Sequence, residues 1–206
     1  MSSPPPPPKR FNAAVGVRSA RFLPCKPPFI SRGRSRGRFA VGIRYEREVQ
    51  EFLSLFVLGR AELEHRSGPW LEYSDKSGKR WCQPDALIIE PAAKRCLVAE
   101  VKYQHTSDAW YQLRRLYLPV LRVALPGYVF NLLEIVHWYD PSTSWPQRAI
   151  NVPNLDQCVG GNRWGEEVAT LIFNVRRERR LHEARDSKRE GSGEAARPLW
   201  PAEGAT

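Results

Sequence analysis

The sequence predicts a mixed α/β protein of the α+β kind, and three observations carry that reading. Apolar residues recur at helical spacing over 44–58 and again over 107–121. Short apolar runs bounded by turn residues occupy 70–73, 79–90, 96–102 and 128–138. Their order is helix, hairpin strands, helix, strand, which makes one core of about 100 residues with a site at one edge of the sheet.

In the first helix, Tyr45, Val49, Phe52, Leu53 and Phe56 share one face, so residues 44–58 are amphipathic. At about 100° per residue, Glu48 borders that face, Glu46 borders its opposite side and Glu51 points away. Residues 70–73 and 79–81 flank Ser74-Asp75-Lys76-Ser77-Gly78, a hairpin turn. A second hairpin joins 81–90 to 96–102 through Pro91-Ala92-Ala93-Lys94-Arg95. Ser107 and Asp108 cap the next helix, which carries Trp110, Leu113, Leu116, Tyr117, Val120 and Leu121. Pro119 is expected to kink or end it, having no N–H and a ring that crowds the preceding turn. Residues 128–138 supply the return strand. After Asp140-Pro141 the pattern weakens: 141–163 read as a long loop rich in Pro, Asn, Gly and Ser. Residues 164–175, with Val168, Leu171, Ile172 and Val175 at helical spacing, read as a helix returning to the core. His65 and His137 are isolated and read as surface or core-edge histidines.

Charge divides the chain. The net charge of +10 looks like a nucleic-acid footprint until it is located. Residues 1–40 hold nine Lys or Arg and no acid, whereas 41–206 hold 23 basic and 22 acidic residues. The basic part opens with five prolines and contains Arg32-Gly33-Arg34-Ser35-Arg36-Gly37-Arg38, a composition unsuited to a core. The expected organisation is a disordered basic tail over 1–40, a folded domain over 41–178 and a disordered charged tail over 179–206. Arg32, Arg34, Arg36 and Arg38 would bind phosphates without sequence preference, or else form a solvated leader, and translation starting near Val41 is a further reading. No apolar stretch has the length of a secretory or membrane-spanning segment, which makes a cytoplasmic protein the expectation. The four cysteines, Cys25, Cys82, Cys96 and Cys158, form no C-x-x-C pair and imply a reducing compartment. In the 81–102 hairpin, Cys82 and Cys96 are expected on opposite faces.

The chemistry lies in that second hairpin. Centring its turn between Ala92 and Ala93 sets Asp85 opposite Glu100, with Cβ atoms about 5 Å apart on one face. Lys102 projects from the same face because strand side chains alternate. Like charges that close require a cation between them, or one must take up a proton. Mg²⁺ suits such a pair: it prefers carboxylate and carbonyl oxygens and retains waters that can serve as nucleophile. Asp85, Glu100 and the Val101 carbonyl would be its ligands. Lys102 would position or help deprotonate the attacking water and offset charge developing on a phosphate. The competing structural reading makes Asp85 a strand cap and Glu100–Lys102 a solvated pair on an edge strand.

Pro84-Asp85, fourteen further residues and then Glu100-Val101-Lys102 resemble the signature of the PD-(D/E)XK nuclease superfamily. The resemblance covers about residues 43–140. It implies a restriction-endonuclease-like core of helix, three-stranded meander, helix and strand, and a Mg²⁺-dependent endonuclease or other nuclease acting on DNA, with Mn²⁺ able to substitute. It also implies an auxiliary metal ligand on the first helix, for which Glu48 is the expected residue and Glu46 the competitor. RecB-like members carry Gln-x-x-x-Tyr on the second helix. Here Gln112 and Tyr117 are five apart, so that motif is off register; Gln112 is an expected contact to DNA or to a metal-bound water. The cysteine spacing of members with an iron–sulfur cluster is absent, so no cluster is expected. The short stand-alone chain implies a bacterial or phage setting, with a phage or repair assembly as the larger context. Two alternatives stand beside the nuclease: a dimeric junction resolvase, and a nucleic-acid-binding protein that keeps the fold without cleaving.

Overall fold

The computed structural model describes residues 11–30, 38–138, 150–151, 154–159 and 167–174. The chain divides into two units, Met1–Phe173 and Asn174–Thr206, and the second is described only at Asn174. The fold is mixed α/β with two sheets.

The larger sheet has six strands in the order β2 (Glu64–Ser67), β5 (Ala86–Glu90), β6 (Arg95–Gln104), β7 (Val129–Trp138), β9 (Val168–Ile172) and β8 (Ile150–Asn151). β2, β5 and β6 are antiparallel neighbours, while β6, β7, β9 and β8 run parallel. The smaller sheet is antiparallel, in the order β1 (Ser19–Phe22), β3 (Leu71–Asp75) and β4 (Gly78–Cys82). Helix α1 (Arg38–Val57) precedes β2. Between β6 and β7 the chain forms a continuous helical stretch: α2 (Ser107–Tyr111), a π-helical segment (Gln112–Tyr117) and α3 (Leu118–Ala124). A short α4 (Asp156–Val159) precedes β9.

The central strands are apolar on both faces because both are covered, as parallel sheets require. On one face, α1 buries Tyr45, Val49 and Leu53. Tyr45 packs edge-on against Tyr103 and His137 and donates its hydroxyl to the Phe173 carbonyl at 2.8 Å. On the other, Leu113, Tyr117, Val120 and Leu121 join Leu87, Ile89, Val98 and Leu132, and Leu71, Tyr73 and Cys82 of the small sheet close the same core.

Several expectations are corrected. Residues 11–30, assigned by composition to a disordered tail, are part of the fold: β1 pairs with β3 from Ser19↔Ser74 to Phe22↔Leu71, and Ala14 is buried. Pro119 does not end its helix. It removes the N–H that would bond the Arg115 carbonyl, and that carbonyl instead accepts from the Ala14 amide at 2.9 Å. Residues 168–172 form a strand rather than a helix, because the run Val168-Ala169-Thr170-Leu171 is buried between β7 and β8, where β-branched residues pack well. The hairpin of 70–82 forms, but in the small sheet; the strand beside β5 is β2, whose sequence Glu-His-Arg-Ser carries no apolar signal. Cys82 therefore lies outside the β5–β6 hairpin, and it shares one core with Cys96 as a second free, buried thiol. Among the described residues no helix is long and apolar enough to cross a membrane.

Candidate functional site

The β5–β6 ladder has the register expected of it, with Ala86 opposite Ala99 and Leu87 opposite Val98. Asp85 immediately precedes β5, so one step along that register brings it level with Glu100. Glu100 is 2 % exposed and lies on a central strand flanked by β5 and β7, which rules out the solvated edge-strand reading.

Three bonds fix Asp85. Its carbonyl accepts from the Gly68 amide at 2.7 Å and from Gln50 Nε2 on α1 at 2.6 Å. Its carboxylate Oδ2 accepts from the Val101 amide at 2.7 Å. Gly68 follows β2 at φ +51°, a left-handed conformation that suits glycine, and a Cβ there would come within 2.9 Å of Gln83 Nε2. Val101 thus enters the site through its N–H.

Lys102 Nζ lies 2.6 Å from Glu100 Oε1. Glu100 Oε2 is buried and makes no close hydrogen bond, while the Tyr117 hydroxyl, which donates to the Gln83 carbonyl at 3.1 Å, also lies against the Glu100 carboxylate and favours its ionised form. Burial, then the Asp85 charge, pushes the Glu100 carboxyl up to about 8, against the pull of Lys102. Burial likewise raises Asp85, opposed by the Val101 amide and Lys102. Burial alone would depress the Lys102 ammonium, but Glu100, Asp85 and Glu134 override it and hold its pKa above the ordinary lysine value.

Helix α1 supplies a further carboxylate. Glu46 lies one turn before Gln50 on the side that meets Asp85, and its pKa is raised by burial and then by the Asp85 charge, with Lys102 opposing. Glu48 turns to the other side, where its charge acts on Tyr45. The structure therefore brings Glu46, not Glu48, to Asp85. Helical periodicity sets both at borders of the apolar face and does not distinguish which border meets the hairpin.

Gln112 and Tyr117 open and close the π-helical segment. Its i→i+5 bonding adds one residue to the turn, so residues five apart share a face as residues four apart do in an α-helix. The off-register pair is thereby realigned: the Tyr117 hydroxyl reaches the acidic cluster, and Gln112 Oε1, one turn earlier, is buried without a hydrogen bond.

One carboxylate escaped the sequence reading. Glu134 on β7 is the ladder partner of Glu100 and is 1 % exposed. Its Oε2 is bonded to His105 Nδ1, and Oε1 accepts from the Thr106 amide at 3.3 Å. Its signal was available, as the one charge within Val129-Phe130-Asn131-Leu132-Leu133-Glu134-Ile135-Val136. His65 bonds Ser54 Oγ through Nδ1 at 3.0 Å, and His137 stacks on Tyr103, both apart from the acidic residues. Arg32, Arg34 and Arg36 and the side chain of Arg38 lie outside the described residues, as do 179–206.

Among the described residues no three His, Cys, Asp or Glu side chains stand grouped to hold a metal ion. The donor chemistry nevertheless fits a hard divalent cation. Glu100 Oε2 is a buried oxygen without a close hydrogen bond, Asp85 is its carboxylate neighbour, Glu46 in turn borders Asp85, and all three are pushed toward protonation in spite of Lys102. No family model, curated protein or solved structure matches the chain.

Proposed function

We propose that the protein is a metal-dependent nuclease that hydrolyses phosphodiester bonds of DNA. The observation that carries this reading is Glu100 Oε2, buried without a close hydrogen bond beside Asp85 and flanked by a Lys102 held as ammonium. The element order supports it as well. A helix, three antiparallel neighbours, a helical crossover and a parallel strand (α1, β2–β5–β6, α2 to α3, β7) follow the order that the PD-(D/E)XK resemblance implies, with the β3–β4 hairpin inserted between β2 and β5.

Asp85, Glu100 and Glu46 would hold Mg²⁺ or Mn²⁺, which when bound supplies Lewis-acid polarisation of the phosphate and a more acidic water. Lys102, kept protonated by Glu100, donates to the attacking water or to a phosphate oxygen and balances charge that grows in the transition state. Asp85 has its backbone clamped from two sides, so its carboxylate orientation is set before substrate arrives. Tyr117 excludes water from the inner side of Glu100.

The test is cleavage of linear, circular and branched DNA by the full chain with Mg²⁺ or Mn²⁺, beside Lys102→Ala. Removing a single electrostatic donor should lower the rate by about 10²–10³-fold while leaving the melting curve cooperative. Absence of cutting by folded wild-type protein with either ion would overturn the nuclease and leave a nucleic-acid-binding protein.

A further inference from the structure

The three longest parallel strands among the described residues end together on the side where Lys102 lies, and each carries an exposed apolar side chain at or near its end. Tyr103 on β6 is 45 % exposed, Trp138 on β7 is 50 % and Ile172 on β9 is 52 %. Large apolar side chains scattered singly over a surface need no explanation, but three at the carboxyl ends of three adjacent strands line one rim of the sheet, Trp138 and Ile172 on one face and Tyr103 on the other. In open α/β sheets that end of the strands is where ligands bind.

The register places the rim against the acidic site. Lys102 is the ladder partner of Val136, and Gln104 of Trp138, so Trp138 stands one strand across and one same-face position beyond Lys102. Two residues at about 3.3 Å each and one strand spacing of about 4.8 Å put their Cα atoms about 8 Å apart. Ile172 is opposite Val136 and shares that face. Tyr103 projects from the other face beside Lys102. Its ring is held in place by His137, stacked at 4.9 Å and 19°, and by the edge of Tyr45 at 5.9 Å. A half-exposed ring already fixed from behind loses little freedom when a second ring lies on it.

We propose that this rim seats the unpaired bases of a single-stranded nucleic acid whose phosphates pass Lys102. The inference rests on the nuclease reading for the placement of the phosphates, and it deepens that reading by naming the substrate class. Aromatic faces next to a cation are how single strands are held without regard to sequence, since every base has a face to stack. A duplex keeps its bases stacked within itself and offers no such face, so an apolar aromatic rim discriminates against it.

The test is fluorescence anisotropy of labelled oligodeoxythymidine and of a blunt duplex of equal length, with the full chain in EDTA so that nothing is cut. Moderate salt suppresses the contribution of the Arg/Gly run. The single strand should bind more tightly than the duplex, and Trp138→Ala and Tyr103→Ala should each weaken it about ten-fold. Trp138→Phe should restore most of that loss, whereas Trp138→Leu, which keeps apolar bulk and the fold, should not. Equal affinity for the two DNAs, or single-strand affinity unchanged in the alanine variants, overturns the proposal. So does a self-associated wild type that Trp138→Ala turns monomeric with no change in DNA affinity, because the occupant is then a second copy of the chain. Because this binding is read without metal, loss of the nuclease activity alone leaves it standing, and loss of the binding leaves the cleavage result standing.

Discussion

At the scale of single residues, the site sets carboxylates against one another, and its pH response follows. The Glu100 carboxyl is raised from 4.5 to about 8 by burial and by Asp85, so in the folded state it takes up protons that the unfolded chain releases. The contribution of Glu100 to stability in metal-free buffer is therefore fully present below its ordinary range and is lost as pH climbs through about 8. Glu100→Gln removes that dependence. Thermal melts in EDTA from pH 5 to 9 should fall less steeply in Glu100→Gln than in the wild type, and parallel curves would contradict the shift. Asp85 has a separable structural duty, since its carboxylate satisfies the Val101 amide. Asp85→Asn retains an acceptor, whereas Asp85→Ala orphans a buried N–H at a cost of about 1–3 kcal/mol. Urea denaturation should rank Asn above Ala by that amount while both variants lose metal-dependent cleavage.

At the scale of elements, the segment before α1 is a working part of the fold. β1 forms four pairs with β3, and the Ala14 amide caps the carbonyl that Pro119 leaves open. Without that cap the Arg115 carbonyl would lose the amide that bonds it at 2.9 Å. A chain of 11–206 should melt like the full-length protein. A chain of 41–206 should lose cooperative melting or unfold several degrees earlier; calorimetry of the two distinguishes them, and equal midpoints would show the segment 11–30 to be dispensable. The π-helical segment teaches a related lesson. Spacing along the sequence put Gln112 and Tyr117 out of phase, and one extra residue in the turn brings them back.

At the scale of the whole molecule, the polar residues lie in one row across an apolar sheet. Asp85 at the head of β5, then Glu100, Glu134 and Thr170 on successive strands, stand at one level, with Lys102 paired to Glu100 and His105 bonded to Glu134. A cation that binds the folded protein and not the unfolded chain stabilises it by mass action, about 2.7 kcal/mol at a hundredfold excess over Kd. Mn²⁺ or Mg²⁺ should raise the melting temperature of the wild type and leave that of Glu100→Gln unchanged. An equal shift in both proteins would place the ion elsewhere.

The sequence by itself determined the β5–β6 hairpin, its register and the convergence of Asp85, Glu100 and Lys102, because a short turn and strict two-residue alternation leave little freedom in pairing. It determined likewise the amphipathic α1, the helix after β6 and the strand that follows, though not their ends. Only the tertiary structure decided the rest. Glu46 rather than Glu48 faces Asp85 because the sheet, and not the helix, chooses which border of α1 meets the hairpin. Val168–Ile172 is a strand because β7 had an open edge to pair, an influence from another part of the chain that overrides local spacing. Residues 11–30 are folded because β3 and the Arg115 carbonyl needed partners. Local periodicity records which face of a segment is apolar; which neighbour covers that face is settled by pairing and burial across the chain.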